Sequence, residues 1–123
     1  MDLASNLSGE YAAKTCCVIG AGGNLIRKDK ALVASLVRAI NEASEFIADY
    51  PNETAKIFSP YSKASLEDLR AVLGTLTHRS HPSGLALKKE MEFYARDFKL
   101  VGVLKPGTDV VRFAEHVTVD VLS

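Results

Sequence analysis

An apolar run opens a glycine-rich turn near the start of this chain, and no other stretch is as typical of a strand. The run extends from Cys16 to Gly20 and, with Thr15, predicts a buried β-strand over residues 15–20. A lone strand cannot satisfy its own backbone donors and acceptors, so it needs neighbours in a sheet. The chain offers no convincing second strand. We therefore expect residues 1–123 to form a single partial domain of a larger α/β structure.

Apolar residues at helical spacing predict about five helices in the remainder of the chain. Pro51 ends the longest helix and starts the next. Ser65, followed three residues later by Asp68, resembles a capping box, and Thr108 or Asp109 can cap the last helix. Periodic apolar residues mark four of these helices over 33–50, 66–76, 87–98 and 110–117, and a short helix is predicted over 51–58. The longest helix follows the glycine turn. The predicted fold class is thus mostly α with one short strand.

Two further stretches have some strand character. The segment from Val101 to Leu104 is predicted to be a short extended piece. The tail over residues 117–121 alternates apolar and polar residues like a strand, so the end of the last helix stays open.

Charge and hydropathy exclude two classes of partner. Lysine plus arginine (15) balances aspartate plus glutamate (15), so no net field attracts nucleic acid or an anionic membrane. No apolar run approaches the length of a membrane span. The polar, acidic start of the chain lacks the pattern of a secretory signal, which predicts a cytoplasmic location if Met1 is the natural start.

The cysteines and histidines predict neither a disulfide nor a metal site. Cys16 and Cys17 are adjacent, and a bridge between neighbours strains the backbone, so we interpret them as small apolar residues of the strand. His78 and His81 lie three residues apart in a polar turn, whereas zinc usually needs at least three protein ligands. No cofactor is expected.

The glycine turn resembles a dinucleotide-binding fingerprint without completing it. In the sequence GAGGNL, Leu25 stands where a third glycine or alanine would permit close helix packing. Backbone amides at such a turn could still bind an anion. No nucleophile, base and orienting acid can be assembled elsewhere, and Glu42 and Glu45 belong to the polar side of a helix. We expect a protein that is not an enzyme.

Three stretches together resemble the C-terminal part of solute-binding proteins of nitrate/sulfonate/taurine-type ABC transporters. They are CCVIGAGGNLIRKDKALVASLVRAINEASEFIADYPNETAKIFSPYS, SKASLEDLRAVL and LKKEMEFYARDFKLVGVLKPGTDVVRFAE. The resemblance covers residues 5–121 and rests on the order of the elements, since no single residue is specific.

The resemblance implies a partial first lobe of a type II periplasmic-binding-protein-like fold. It also implies a periplasmic location, an ABC permease as partner and a small anionic solute bound once the missing lobe is supplied. Two segments would face the ligand cleft: Gly9, Glu10 and Tyr11 before the strand, and Gly22, Gly23 and Asn24 in the turn.

Two functions are therefore expected. The first is a fragment or truncated homologue of a solute-binding protein for anions such as nitrate, sulfonate or taurine. The second is a self-associating helical module that no longer binds a transported solute. Helix faces left without their sheet would drive such association, because burial of apolar surface is favourable.

Overall fold

The computed structural model describes residues 9–11, 14–15, 17–75 and 82–123, and 70% of these residues are helical. The prediction of a mostly α protein is confirmed. Short 3-10 helices form at Gly9–Tyr11 and Ser59–Tyr61. The α-helices are α1 (Gly23–Lys28), α2 (Lys30–Asp49), α3 (Pro51–Phe58), α4 (Leu66–Gly74), α5 (Gly84–Leu100) and α6 (Val110–Val117).

Both predicted helix caps are present. The Ser65 hydroxyl accepts a hydrogen bond from the backbone N–H of Asp68 at 3.1 Å and begins α4. The Asp109 carboxylate accepts from the N–H groups of Val111 at 3.0 Å and Arg112 at 3.1 Å and begins α6. These bonds satisfy amide groups that have no partner within their own helix.

Asp29 separates two helices where the sequence predicted only one. Its backbone N–H donates to the carbonyl of Leu25 and closes α1, a helix that the sequence did not predict. Its carboxylate accepts from the N–H of Leu32 at 2.9 Å, which lets α2 begin at Lys30. Val33 is the first periodic apolar residue of the prediction, so apolar spacing alone did not locate the aspartate cap that lies before it.

The predicted strand over residues 15–20 is wrong for the part that the structure describes. Neither Thr15 nor residues 17–20 form a strand, and no strand occurs elsewhere in residues 9–11, 14–15, 17–75 and 82–123. Cys17 is exposed instead of buried, and Val18 is 55% exposed. Without a neighbouring strand, the segment has no backbone ladder to join.

The other two stretches with strand character also fold differently. Residues 101–104 form a turn in which Gly102 has φ of +78°, the left-handed conformation that glycine adopts at helix ends. The N–H of Leu104 bonds back to the carbonyl of Phe98 at 2.9 Å. In the tail, Thr118 ends α6, and the carboxylate of Asp120 accepts from the N–H groups of the last two residues.

The chain divides into two compact units, one formed by Met1–Ala34 with Pro82–Ser123 and the other by Ser35–His81. In the first unit α5 packs against α6, and Ala95 and Ala114 are fully buried. In the second unit α3 packs against α4, and Ala55 and Leu69 are buried. The single partial domain expected from the sequence stays a prediction.

The predicted apolar stripes are only partly buried. On α4, Leu69 is buried but Val72 is 60% exposed. On α5, Ala95 is buried but Phe98 is 42% exposed. Helical spacing therefore located the apolar face of each helix, but it overestimated how much of that face is buried.

Candidate functional site

Aromatic side chains pack together where the 3-10 helix at Gly9–Tyr11 meets α5. The ring of Tyr11 makes an edge contact with Phe93, centroid to centroid 5.6 Å, and stacks near Tyr94 at 6.4 Å. The ammonium group of Lys14 lies 5.0 Å from the centroid of the Phe93 ring. Aromatic pairs and cation–π contacts of this kind hold the N-terminal segment on the helix.

Hydrogen bonds complete this cluster. The hydroxyl of Tyr11 donates to Asp97 at 2.8 Å, and the hydroxyl of Tyr94 donates to the backbone carbonyl of Thr15 at 2.7 Å. The backbone N–H of Thr15 donates to the carboxylate of Glu90 at 2.9 Å. Side chains of α5 thus form hydrogen bonds with both the N–H and the carbonyl of Thr15, which is 7% exposed. In the expected sheet, a neighbouring strand would have satisfied these groups.

The electrostatics of this cluster oppose an anionic ligand at Tyr11. The hydrogen bond to Asp97 raises the pKa of the Tyr11 phenol above its ordinary value of 10.0, and the charges of Asp97 and Glu10 act in the same direction. The carboxylates of Asp97 and Glu10 oppose the approach of a further anion to the Tyr11 hydroxyl, such as the nitrate or sulfonate that the resemblance implies.

The second predicted ligand segment has a different environment. Gly23 and Asn24 begin α1, and the guanidinium of Arg27 donates to the side-chain carbonyl of Asn24. A Cβ atom added at Gly23 would lie 3.2 Å from Arg27 Nη1, so the arginine folds back over the start of its own helix. Gly22, the residue before α1, is exposed.

The structure places the two predicted segments in separate local settings. Contacts of Tyr11 run to α5, and those of Asn24 stay within α1. Gly9, with φ of +64°, and Glu10 are exposed. His78 and His81 lie outside the described residues.

A shallow open pocket of about 300 Å³ lies where α5 begins and α6 ends. Its lining includes Lys88 and Glu115, joined by a 2.6 Å ion pair, and Asp120. The Asp120 carboxylate lies against Gly84, where an added Cβ would be 2.6 Å from Oδ2. The pocket thus has two carboxylates and one lysine, and the lysine is already paired with Glu115. This charge balance disfavours an anionic ligand.

Exposed apolar side chains are the most prominent surface feature of the described residues. Nineteen large apolar residues are exposed, while the buried apolar residues are Val33, Ala34, Ala55, Leu69, Ala95 and Ala114. None of the larger side chains in the described part is fully buried. The sequence analysis expected uncovered helix faces, but it did not identify which residues are exposed, because periodicity gives the position of a face on its helix and not the presence of a neighbour.

No protein-family model, no curated protein and no solved structure matches this chain. Among the residues that the structure describes, no helix combines the length and apolarity needed to cross a bilayer. Within those same ranges, no three His, Cys, Asp or Glu side chains gather as a metal site. The described residues form a mostly helical protein that exposes many large apolar side chains.

Proposed function

We propose that this chain is a self-associating helical interaction module. The observation that supports the proposal is the contrast between six buried apolar residues, five of them alanine or valine, and nineteen large apolar residues left exposed among the described residues. Soluble monomers rarely expose extensive apolar surface, and larger exposed patches usually mark interaction sites.

Association would remove much of this surface from water. Each Å² of apolar surface buried contributes about 25 cal/mol, and this gain opposes the loss of translational and rotational freedom, which costs about 4–15 kcal/mol. The formal net charge of +0 adds no overall repulsion between copies. Each unit buries few apolar side chains. The apolar helix faces that remain exposed are therefore available for contact with a second chain.

Sedimentation velocity over a range of protein concentrations tests this proposal. We expect the weight-average sedimentation coefficient to rise with concentration as monomers convert to dimers or larger species. A coefficient that stays at the monomer value across the whole range would contradict the proposal. Binding of an apolar dye by the monomer, lost on association, would support it.

A solute-binding role is the second proposal, and it rests on the resemblance to the nitrate/sulfonate/taurine-type family. In this role the chain supplies part of the first lobe of a type II periplasmic-binding-protein-like fold. The structural feature in its favour is the basic group of Arg27 over Gly23 and Asn24. The carboxylates around Tyr11 disfavour it.

Calorimetry with nitrate, taurine and alkanesulfonates distinguishes the two roles. Saturable heat that disappears in Arg27→Ala and persists in Arg38→Ala, an exposed arginine of α2, would favour solute binding. Absence of heat with all three solutes would leave self-association as the better proposal.

A further inference from the structure

Five apolar residues form an exposed stripe along α2 and the residue that follows it. Their spacing alternates between three and four residues, which is the a/d pattern of a heptad. All five are exposed, and Leu36, Phe46 and Tyr50 are 54%, 42% and 53% exposed. We call this set the α2 stripe: Leu36, Ala39, Ala43, Phe46 and Tyr50.

The α2 stripe is distinct from the side of the helix that is partly covered. Val37, Ile40 and Ile47 are half-buried and lie at helical spacing on the adjacent face. The ring centroids of Phe46 and Tyr50 are 5.0 Å apart, so these two side chains contact each other at the C-terminal end of the stripe. α2 therefore carries two apolar faces, and the stripe is the one left open.

We infer that the α2 stripe is the self-association surface, and that two copies pair through it in antiparallel orientation. This inference rests on the proposed function and names the surface that performs it. The residue sizes are symmetric about position 41: Leu36 and Phe46 lie five residues on either side of it, and Ala39 and Ala43 lie two residues away. Antiparallel pairing places Leu36 against Phe46 of the second copy and Ala39 against Ala43. Small residues at the centre let the helices approach closely, and the large ones fill both ends.

Charges beside the stripe favour the same orientation. Arg38, Glu42 and Glu45 are exposed on its polar edge. In an antiparallel pair, Arg38 of one copy lies level with the segment between Glu42 and Glu45 of the other, so opposite charges meet twice. A parallel pair would instead place this edge against the opposite edge of the second copy, where Ile40 and Ile47 lie. The parallel arrangement therefore lacks this pairing of opposite charges.

The size of the α2 stripe predicts a reversible dimer. With side-chain areas near 200 Å², the exposed fractions of Leu36, Phe46 and Tyr50 leave about 300 Å² of their surface open per copy. A standard stable interface buries about 800 Å² per partner. We therefore expect association that is weak and depends on the protein concentration.

Disulfide cross-linking tests the orientation directly. In a Cys16→Ser, Cys17→Ser background, variants Ala39→Cys and Ala43→Cys are mixed in a glutathione buffer, and the products are separated by mass. Antiparallel pairing predicts that the mixed disulfide exceeds the one-half share given by random pairing. Ala71→Cys, at an exposed alanine of α4, measures cross-linking by collision. A predominance of symmetric disulfides would overturn the antiparallel arrangement.

Leu36→Glu tests the surface, and Leu85→Glu is its matched control because Leu85 is a helical leucine that is 67% exposed. We expect Leu36→Glu to weaken dimerisation by about tenfold or more in sedimentation experiments. Leu85→Glu should change it by no more than about twofold, as surface substitutions usually do. Ala43→Glu replaces Leu36→Glu if circular dichroism shows that the latter has lost helicity.

The outcomes separate this inference from the proposed function. A wild-type chain that remains monomeric overturns both. A wild-type chain that associates, with Leu36→Glu and Leu85→Glu equally affected or equally neutral, overturns the α2 stripe and leaves self-association standing.

Discussion

Replacement of Ala95 by leucine tests how closely α5 packs. Ala95 lies inside α5 and is 0% exposed, and α5 packs against α6, whose Ala114 is also 0% exposed. Leucine adds three carbon atoms to a site that has no exposed surface to receive them. Inserting methylene groups into a packed site typically costs about 1–3 kcal/mol, because side chains and backbone must shift. We expect Ala95→Leu to lower the free energy of unfolding by that amount.

Ala86→Leu is the matched control, because Ala86 lies on the same helix and is exposed. Alanine and leucine have similar helix propensities, so the two variants change the backbone preference almost equally. The difference between them therefore measures packing alone. We expect Ala86→Leu to change the free energy of unfolding by no more than about 0.5 kcal/mol.

Urea denaturation followed by far-UV circular dichroism measures both values. Ala95→Leu should lower the midpoint without a large change in the slope, and its thermal midpoint should fall by about 4 °C or more. Equal stability of Ala95→Leu and Ala86→Leu would refute the reasoning, because it would mean that Ala95 is not held by a close neighbour.

Three further predictions follow from single groups. Asp109→Ala removes the cap of α6 and should destabilise the protein by about 1 kcal/mol in urea denaturation, whereas Asp109→Ser should retain most of that stability. Thr54→Val should stabilise by about 1 kcal/mol in the same assay, because the Thr54 hydroxyl oxygen is buried without a hydrogen-bond partner. The raised pKa of Tyr11 means that the unfolded chain loses this proton first, so the contribution of Tyr11 to stability falls as pH rises above 10.0 towards its folded pKa. In a spectrophotometric tyrosine titration, Tyr11→Phe should remove one late-titrating group, and an unchanged titration curve would count against its bond to Asp97.

Most of the helices were predictable because their signals are local. Apolar spacing located α2 to α6, and side-chain caps at Ser65 and Asp109 fixed the first residues of α4 and α6. Pro51 marked the boundary between α2 and α3. Each signal acts within one or two helical turns, so it does not depend on what the rest of the chain does.

The strand prediction failed because strand formation depends on a partner. Residues 15–20 have the composition of a buried strand, but α5 provides the hydrogen bonds that Thr15 needs. Those bonds come from Glu90 and Tyr94, whose roles no local pattern in the sequence indicates. The candidate ligand residues were predicted only from the resemblance. The spacing of residues in the sequence did not indicate that the carboxylate of Asp97 would accept a hydrogen bond from Tyr11.

The width of the apolar arc on α2 connects the sequence to the proposed surface. Periodicity placed Leu36, Ala43 and Tyr50 on the same predicted face as Val33 and Ile40, whereas the structure leaves the first three exposed. One neighbouring element covers only part of the circumference of a helix. An apolar face that is wider than this covered part must contact a second partner or water. On α2 the uncovered part retains heptad spacing, and its residues from Leu36 to Phe46 have a size pattern that is the same read in either direction. A helix that packs against a single neighbour has no physical need for heptad spacing or a symmetric size pattern on its uncovered face. We therefore interpret the α2 stripe as an interface.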